Sequence, residues 1–437
     1  MGDERARQLT GHQIDLSELR RLHLLLLTTI TRTAVTRHEQ LLPANVGRAR
    51  LVFTLGITQI LAWASTFYLP AVLAGPIARD MGWSLSFVVG GLSWGMLVAG
   101  LCSPLAGRLI DRRGGRSVLV FSSLMLGAGL MVMSMANSLW LYYLAWSLLG
   151  VAMATGLYDA AFATLGTLLG ERARGAITGL TLIGGFASTV GWPALAALES
   201  WIGWRDTCLV LAAIHVVVGL PVHWLAVPKP LGSGKESTSE ELASVTLDER
   251  SRRLFWLVAG LLTVVAFVMA SLSVHLLAAL KQLGLPTVTV LAVGMVIGPA
   301  QVVARVLEFS IARHLHPSWS ARVGVLVSFI GICLFIPGVP WLAFPGAALY
   351  GAGMGILTIA RGTLPLVLFG PQGYGARMGA LARPMLLAQA AGPFAAAFVL
   401  SAQGAPMMLL LMATIVAVAL GGCLRLPTKP FHDQHPE

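Results

Sequence analysis

Long apolar runs recur along this 437-residue chain and are separated by short polar gaps. The runs are of the length, about 20 residues, that a helix needs to cross the hydrocarbon core of a bilayer. Lipid cannot satisfy an open backbone, so each run must be helical. The pattern predicts twelve spanning helices, near residues 51–75, 86–106, 117–135, 139–169, 176–198, 207–227, 254–278, 287–308, 321–337, 341–369, 379–401 and 405–425.

A polar segment divides these runs into two sets of six. Residues 228–253 contain GSGKESTSEE, which has the composition of a linker. We expect a cytosolic extension at 1–50, a six-helix bundle at 51–227, a cytosolic linker at 228–253, a second six-helix bundle at 254–425 and a cytosolic tail at 426–437. The apolar run 22–30 in the extension is too short to span a bilayer. It favours an amphipathic helix on the membrane surface over a signal peptide.

The two sets of six also repeat each other. At a shift of 200 residues, four positions of the first set match four of the second: Gly170, Gly175, Gly179 and Pro193 with Gly370, Gly375, Gly379 and Pro393. Such internal repeats are typical of transporters, whose substrate site lies between the repeated halves. The predicted fold is therefore an all-α membrane protein of two pseudo-symmetric six-helix bundles.

Composition supports a membrane protein. Hydrophobic residues make up 56% of the chain and charged residues 11%, and the mean hydropathy is +0.78. A soluble domain carries about 25% charged residues. The net charge of +11 would suggest nucleic acid in a soluble protein. Here the basic residues stand in the gaps between apolar runs, so we expect no nucleic-acid partner.

The basic residues predict the orientation of the chain. Every second gap, counted from the second–third gap, is rich in them: Arg108, Arg112, Arg113, Arg116, Arg172, Arg174, Lys229, Lys235, Arg250, Arg252, Arg253, Arg313, Arg322 and Arg377. The opposite gaps hold only Arg79, Arg205 and Lys281. Cytoplasmic loops carry the excess of Lys and Arg. We expect an inner-membrane protein, a monomer, with both termini in the cytosol.

Sequence motifs for cofactor or metal chemistry are lacking. The four cysteines stand alone in apolar runs without a CxxC pair, which favours buried structural thiols over a soft-metalloid site. The glycine-rich GAGMG sequence lies inside a spanning run and is typical of close helix packing. We predict no cofactor, no metal site, no catalytic residues and no enzyme activity. Energy for uphill transport would come from an ion or exchange gradient.

The second–third gap carries the most specific motif. Its sequence, GRLIDRRGGR at 107–116, resembles the signature loop of the major facilitator superfamily. The matching positions are Gly107, Leu109, Asp111, Arg112, Gly114 and Arg116, with Gly115 adding a slight shift. Glycine at 107 would let the loop approach a neighbouring helix. An aspartate at 111 would cap a helix or pair with arginine, as a latch between conformations. The second-half loop, EFSIARHLHP, has Ala312 near the acidic position, so we expect a weaker latch there.

Residues 51–425 also resemble the monocarboxylate-transporter and oxalate:formate-antiporter branches. An aromatic first helix is followed by GWS, and the eighth run contains QVVARVLE. The resemblance implies an arginine for anion binding at Arg305, and a second basic residue in the eleventh helix at Arg383. The monocarboxylate branch has an acid one turn before the arginine, where this chain has Gln301. That difference argues against proton coupling by the same pair.

Charged residues inside spanning runs are costly and are candidates for function. Asp159 and Arg361 lie within about two positions of each other after the 200-residue shift. We predict that they face the pathway from opposite halves, either exchanging partners with proton and substrate or forming a static ion pair. Tyr158 and Gln389 are candidates to orient a ligand. Trp63, Phe67 and Tyr68 are candidates for an apolar wall, with plain aromatic packing as the alternative.

Four further ionisable positions complete the candidate site. Arg305 and Glu308 are spaced to pair along one helix face, and Glu308 is a candidate for a cytosolic gate. Arg383 precedes a proline that weakens its helix. His275 is a candidate proton carrier by its intrinsic pKa, although a hydrogen-bonded structural histidine is the alternative. Three arginines against Asp159 and Glu308 favour an anionic substrate.

The sequence thus predicts a secondary transporter that works by alternating access. The expected substrate is a small organic anion, such as a carboxylate, driven by proton symport or by exchange. An exporter of drugs or metalloid toxicants is the alternative, with the arginines as structural residues. A non-transporting membrane sensor on the same fold is the alternative from another class.

Overall fold

The computed structural model of the chain describes residues 47–229, 249–311 and 315–428. Within these ranges nearly every residue is helical and none lies in a β-strand. The all-α membrane fold predicted from the sequence is confirmed. The predicted extension, linker and tail fall mostly outside the described residues, as does Ala312.

In the first half, the described residues form nine α-helices. They are α1 (Arg48–Ala64), α2 (Leu69–Met81), α3 (Leu85–Arg113), α4 (Gly115–Ser134), α5 (Leu139–Gly156), α6 (Tyr158–Leu169), α7 (Ala173–Gly184), α8 (Ala187–Ile214) and α9 (Leu220–Ala226). A 3₁₀ turn, Gly170–Arg172, joins α6 to α7, and a π-helical turn, His215–Gly219, joins α8 to α9.

In the second half, five α-helices lie within the described residues. They are α10 (Glu249–Gln282), α11 (Thr287–Ile311), α12 (Pro317–Phe335), α13 (Pro340–Phe369) and α14 (Tyr374–Leu424). Helix α10 begins within the predicted linker, five residues before the first predicted apolar position of this half, Leu254 in the run 254–278.

The described residues include nine apolar helical stretches long enough to cross a membrane. Two of them, Leu139–Ala226 and Tyr374–Leu424, are 88 and 51 residues long and must cross more than once. Glycines with positive φ interrupt them at Gly170 (56°), Gly203 (76°) and Gly404 (84°). Division at these glycines is consistent with the predicted twelve spans.

The backbone also shows the internal repeat. Positive-φ glycines recur in pairs about 200 residues apart: Gly82 with Gly284, Gly170 with Gly370, and Gly203 with Gly404. Gly203 and Gly404 share nearly the same dihedrals, with ψ of 169° and 174°. Residues with a side chain strongly disfavour such φ values, so glycine is needed at these turns. The two halves therefore turn at equivalent places.

The halves meet along α3 and the first part of α14. The Ser103 hydroxyl donates to the Gly379 carbonyl across 3.1 Å. A Cβ atom on Gly107 would overlap the carbonyl oxygen of Gly375. This contact closes the end of the molecule that carries residues 107–116, which we call the motif end. Within the first half, helices α2 and α8 line a groove of about 610 Å³.

Candidate functional site

Asp159 and Arg361 form an ion pair that joins the two halves. The Nε atom of Arg361 donates to Oδ1 of Asp159 at 2.9 Å, and Nη2 of the same arginine contacts Oδ2. Each side chain is 13% exposed. This two-point arrangement is the strongest geometry available to an arginine and a carboxylate. The structure thus brings together the two charges that the repeat places in paired helices.

Both charged residues lie where their helices are interrupted. Leu157 has extended backbone (φ −78°, ψ −170°) between α5 and α6, so Asp159 stands in the first turn of α6. The unpaired N–H groups and the dipole of a helix N-terminus favour a carboxylate there. On the other side, Pro365 lies four residues after Arg361 in α13 and offers no N–H to the Arg361 carbonyl. Both helices can therefore deform locally at the pair.

A small cavity lies beside the ion pair. Its volume is about 20 Å³, which is room for one water molecule. Residues of both halves line it: Trp63, Phe67, Met96, Met153, Leu157, Tyr158, Asp159, Arg361, Leu386 and Gln389. Apart from the ion pair, Tyr158 and Gln389, the wall is largely apolar. The cavity is contracted in this conformation.

The aromatic part of the wall is held by polar contacts in α1. The Gln59 side chain donates to the Gly156 carbonyl at 2.7 Å and accepts from Nε1 of Trp63 at 3.1 Å. The Trp63 ring lies 5.0 Å from the ring of Tyr158. Trp63, Phe67 and Tyr158, all singled out by sequence, therefore line the cavity. Gln59 was missed, because a single amide in an apolar run gives no sign of which group it bonds.

Arg305 lies at the interface of the halves, is 5% exposed and is not part of the wall of the small cavity, although it lies near Tyr158, which is. Its Nη2 atom donates to Gln301 at 3.3 Å, whereas its buried Nε atom has no hydrogen-bond partner among the described residues. A Cβ atom on Gly185 of the first half would overlap Nη1, so the guanidinium packs directly against the backbone of α7 and α8 at this glycine. The hydroxyls of Tyr68 and Tyr158 lie within electrostatic range of Arg305.

The other candidate residues lie elsewhere. Glu308 is 7% exposed, accepts a 3.0 Å hydrogen bond from Ser320, and lies within electrostatic range of Arg174 in the first half. The side chain of Arg383 is exposed and does not line the cavity. His275 donates from Nε2 to the Pro393 carbonyl at 2.8 Å and also stays out of the cavity wall.

The signature loop contacts the second half through Asp111. Its Oδ1 accepts from the backbone N–H of Gly375 at 2.9 Å, and its Oδ2 accepts from that of Ala376 at 2.7 Å. These N–H groups belong to the first turn of α14, where no partner exists within the helix. Asp111 therefore caps a helix of the opposite half. The close approach of α3 to α14 depends on Gly107, because a side chain at this position would overlap the Gly375 carbonyl.

The remaining loop residues act within the first half. Gly114, with a φ of 78°, separates α3 from α4. The guanidinium of Arg116 lies 4.5 Å from the ring centre of Trp224. Arg112 is exposed and makes no hydrogen bond to the described part of the chain. Of the five predicted latch residues, Gly107 and Asp111 are the two that the structure shows in contact with the other half.

Comparison with known proteins gives a family match and a fold match. The sequence profile described as Major Facilitator Superfamily matches residues 55–322. The human organic anion transporter MFSD10 (TETRAN) has a similar structure, with a TM-score of 0.70 and 16% sequence identity. The match covers 87% of this chain and 100% of the MFSD10 chain. No curated protein matches the sequence.

Proposed function

Because this chain belongs to the Major Facilitator Superfamily, we propose that it is a secondary transporter of an organic monoanion that works by alternating access. Its helices cross a lipid bilayer several times, and the family consists of small-molecule transporters. The further claims below concern the charge of the substrate, its apolar part and the coupling ion.

The unpaired guanidinium of Arg305 supports an anionic substrate. Burying a charge without a partner costs several kcal/mol. The charge of Arg361 is offset by Asp159, and Glu308 lies near Arg174. Among the described residues, the side chain of Arg305 has a hydrogen bond only to the neutral Gln301. One positive charge is therefore left at the centre of the protein, and one negative charge on a substrate would balance it.

Arg305 also has the geometry to bind a carboxylate. A guanidinium donates two parallel N–H groups that match the two oxygens of a carboxylate. Its free Nε atom and the nearby hydroxyls of Tyr68 and Tyr158 would supply donors. The side chains of Met96, Met153 and Leu386 offer no hydrogen-bond partner for a second charged group. We therefore favour a carboxylate with an apolar or aromatic body, and the likeness to an organic anion transporter agrees with that choice.

The size of the cavity implies a conformational change. A space of about 20 Å³ cannot hold an organic anion, so the site must widen when the halves separate toward one end of the molecule. In this structure the halves are closed at the motif end by α3 and α14. Substrate would shift the balance between conformations through contacts that differ between them.

The Asp159–Arg361 pair supports coupling to protons. The two charges belong to different halves, so separating the halves at the motif end would break the pair. A proton on Asp159 would favour this release, because a neutral carboxyl group attracts Arg361 much less, while the anion stays at Arg305. Proton symport of a monoanion is our preferred coupling, with exchange as the alternative. Gln301 supports this assignment, because it stands one turn before Arg305 where an acid would be needed for Arg305 to share a proton site.

Several finer predictions are part of the same proposal. The resemblance to the monocarboxylate and oxalate:formate branches is one of them. A monomeric state, an inner-membrane location with cytosolic termini, and the absence of enzyme activity are the others. An exporter of drugs or metalloids is the alternative, and in an exporter Arg305 would have a structural role and would not bind the substrate.

Uptake into proteoliposomes tests the proposal. The purified full chain is assayed with carboxylates that differ in charge and in apolar size, with and without an inward proton gradient. We expect saturable uptake of monocarboxylates that the gradient stimulates. If the protein takes up a neutral drug and the Arg305→Gln variant does so equally well, the exporter is favoured. No flux of any compound across the panel would favour a sensor.

A further inference from the structure

Tyr374 lies between the Asp111 cap and the central ion pair. It is the first residue of α14, is 0% exposed, and directly precedes the two residues that Asp111 caps. Its hydroxyl donates to the Gly362 carbonyl at 2.6 Å. Gly362 follows Arg361 in α13. One side chain therefore connects the capped turn of α14 to the residue next to the ion pair.

The ring of Tyr374 contacts the first half as well. A Cβ atom on Gly166 of α6 would overlap this ring. Gly166 lies seven residues, about two helical turns, after Asp159 on the same helix. Tyr374 thus contacts the helix of Asp159 with its ring and the helix of Arg361 with its hydroxyl. It lies within electrostatic range of both charged groups.

We propose that Tyr374 is a positioning residue that couples release of the Asp111 cap to release of the Asp159–Arg361 pair. This inference rests on the alternating-access function proposed above. When Asp111 leaves Gly375 and Ala376, the first turn of α14 is free to move, and Tyr374 moves with it. Its hydroxyl then pulls on α13 at Gly362.

The local structure of α13 makes this pull effective. Pro365 deprives the Arg361 carbonyl of its helical hydrogen bond, so the helix is weak at this point. A displacement at Gly362 is therefore transmitted to the adjacent Arg361 more easily than through an intact helix. The reverse also holds, because coupling between two sites is reciprocal. Loss of the ion pair should loosen the cap.

Amide hydrogen exchange at Gly375 and Ala376 tests the coupling. The cap is the hydrogen-bond partner of both amides, so their exchange rates report its opening. The rates are measured in the full chain for wild type, Asp159→Asn, Tyr374→Phe and the double variant. We expect Asp159→Asn to speed exchange about threefold or more when Tyr374 is present. In the Tyr374→Phe background, Asp159→Asn should change the exchange rates hardly at all. If Asp159→Asn speeds exchange by the same factor in both backgrounds, the inference is overturned.

A matched control is Tyr350→Phe in α13. Tyr350 is 2% exposed, and its hydroxyl has no hydrogen-bond partner in the described chain. This variant should leave the effect of Asp159→Asn unchanged, and loss of the effect here would also overturn the inference. If Asp159→Asn does not fold, Arg361→Lys repeats the cycle, since lysine keeps the charge and loses the two-point contact.

These measurements need no substrate, so they separate the inference from the proposed function. If the two substitutions are non-additive but the protein transports no anion, the coupling role of Tyr374 stands and the proposed substrate is wrong. If the protein takes up anions but the two substitutions are additive, the proposed substrate stands and the role of Tyr374 is wrong.

Discussion

Arg361 and Asp159 join the two halves of the protein through a two-point ion pair in which each side chain is 13% exposed. Each residue stands at a weak point of its helix, after the break at Leu157 or before Pro365. The pair is therefore strong in the closed conformation and placed where it can be released. Charge balance at this pair and at Arg305 leads to the predictions that follow.

Replacement of Asp159 by asparagine should separate transport from the proton gradient. The variant cannot carry a proton at this position, whereas Arg305 can still bind the anion. We expect the initial rate of gradient-driven uptake to fall about tenfold or more, which corresponds to a barrier higher by about 1.4 kcal/mol. Exchange of internal for external anion should persist. The two modes are compared in the same proteoliposomes, and an unchanged response to the gradient would argue against Asp159 as the proton site.

Removal of the cap should open the motif end. Asp111→Asn keeps the size of the side chain and removes its charge. Asparagine keeps one acceptor oxygen and replaces the other by an NH2 group, so one of the two hydrogen bonds is lost at a cost of about 1 kcal/mol. Amide exchange at Gly375 and Ala376 should then accelerate by about fivefold. Arg112→Gln is the control, because Arg112 is exposed and makes no hydrogen bond within the described chain; equal acceleration in the two variants would contradict the cap.

A smaller side chain at Leu386 should change the preference for substrate size. Leu386 lines the cavity opposite the aromatic wall, so Leu386→Ala adds room for a larger apolar body. Differences of a methylene or so in a pocket are worth about 1–3 kcal/mol. We expect the uptake ratio of a bulky aromatic monocarboxylate to acetate to rise about tenfold. The ratio is measured by competition, and a constant ratio would mean that the anion does not contact this wall.

Charge selectivity should follow from the single unpaired arginine. A benzoate-sized monoanion should be taken up at least about tenfold faster than the matching dicarboxylate, since a second charge would be buried without a partner. Arg383→Gln should change this ratio by less than about twofold, because the Arg383 side chain is exposed away from the cavity. If Arg383→Gln instead takes up the monoanion poorly, Arg383 belongs to the substrate site, as the sequence predicts.

The fold was predictable because its signals are long and repeated. The apolar runs, the 200-residue repeat and the GRLIDRRGGR loop each give the same architecture. Asp159 and Arg361 were predictable as partners because charges are rare in apolar runs and the repeat aligns them. These signals can be seen in the sequence without knowing how the helices pack.

The rest of the site depends on contacts between the halves. Met96 and Leu386 lie in uniformly apolar runs, so their sequence does not show which face meets the cavity. Arg383 was expected there, but the rotation of α14 against α3 leaves its side chain exposed. Tyr374 lies at the end of a gap between runs, and only the folded chain shows its bond to Gly362.

Uptake of one labelled aromatic monocarboxylate by wild type and by Arg305→Gln, side by side in proteoliposomes, tests the central claim most directly. Removing one partner of a buried charge pair costs 2–5 kcal/mol or more. We predict that uptake by the variant falls at least about thirtyfold, while the purified variant keeps wild-type amide exchange at Gly375 and Ala376. Wild-type uptake by a folded Arg305→Gln protein would contradict the claim that this arginine binds the transported anion.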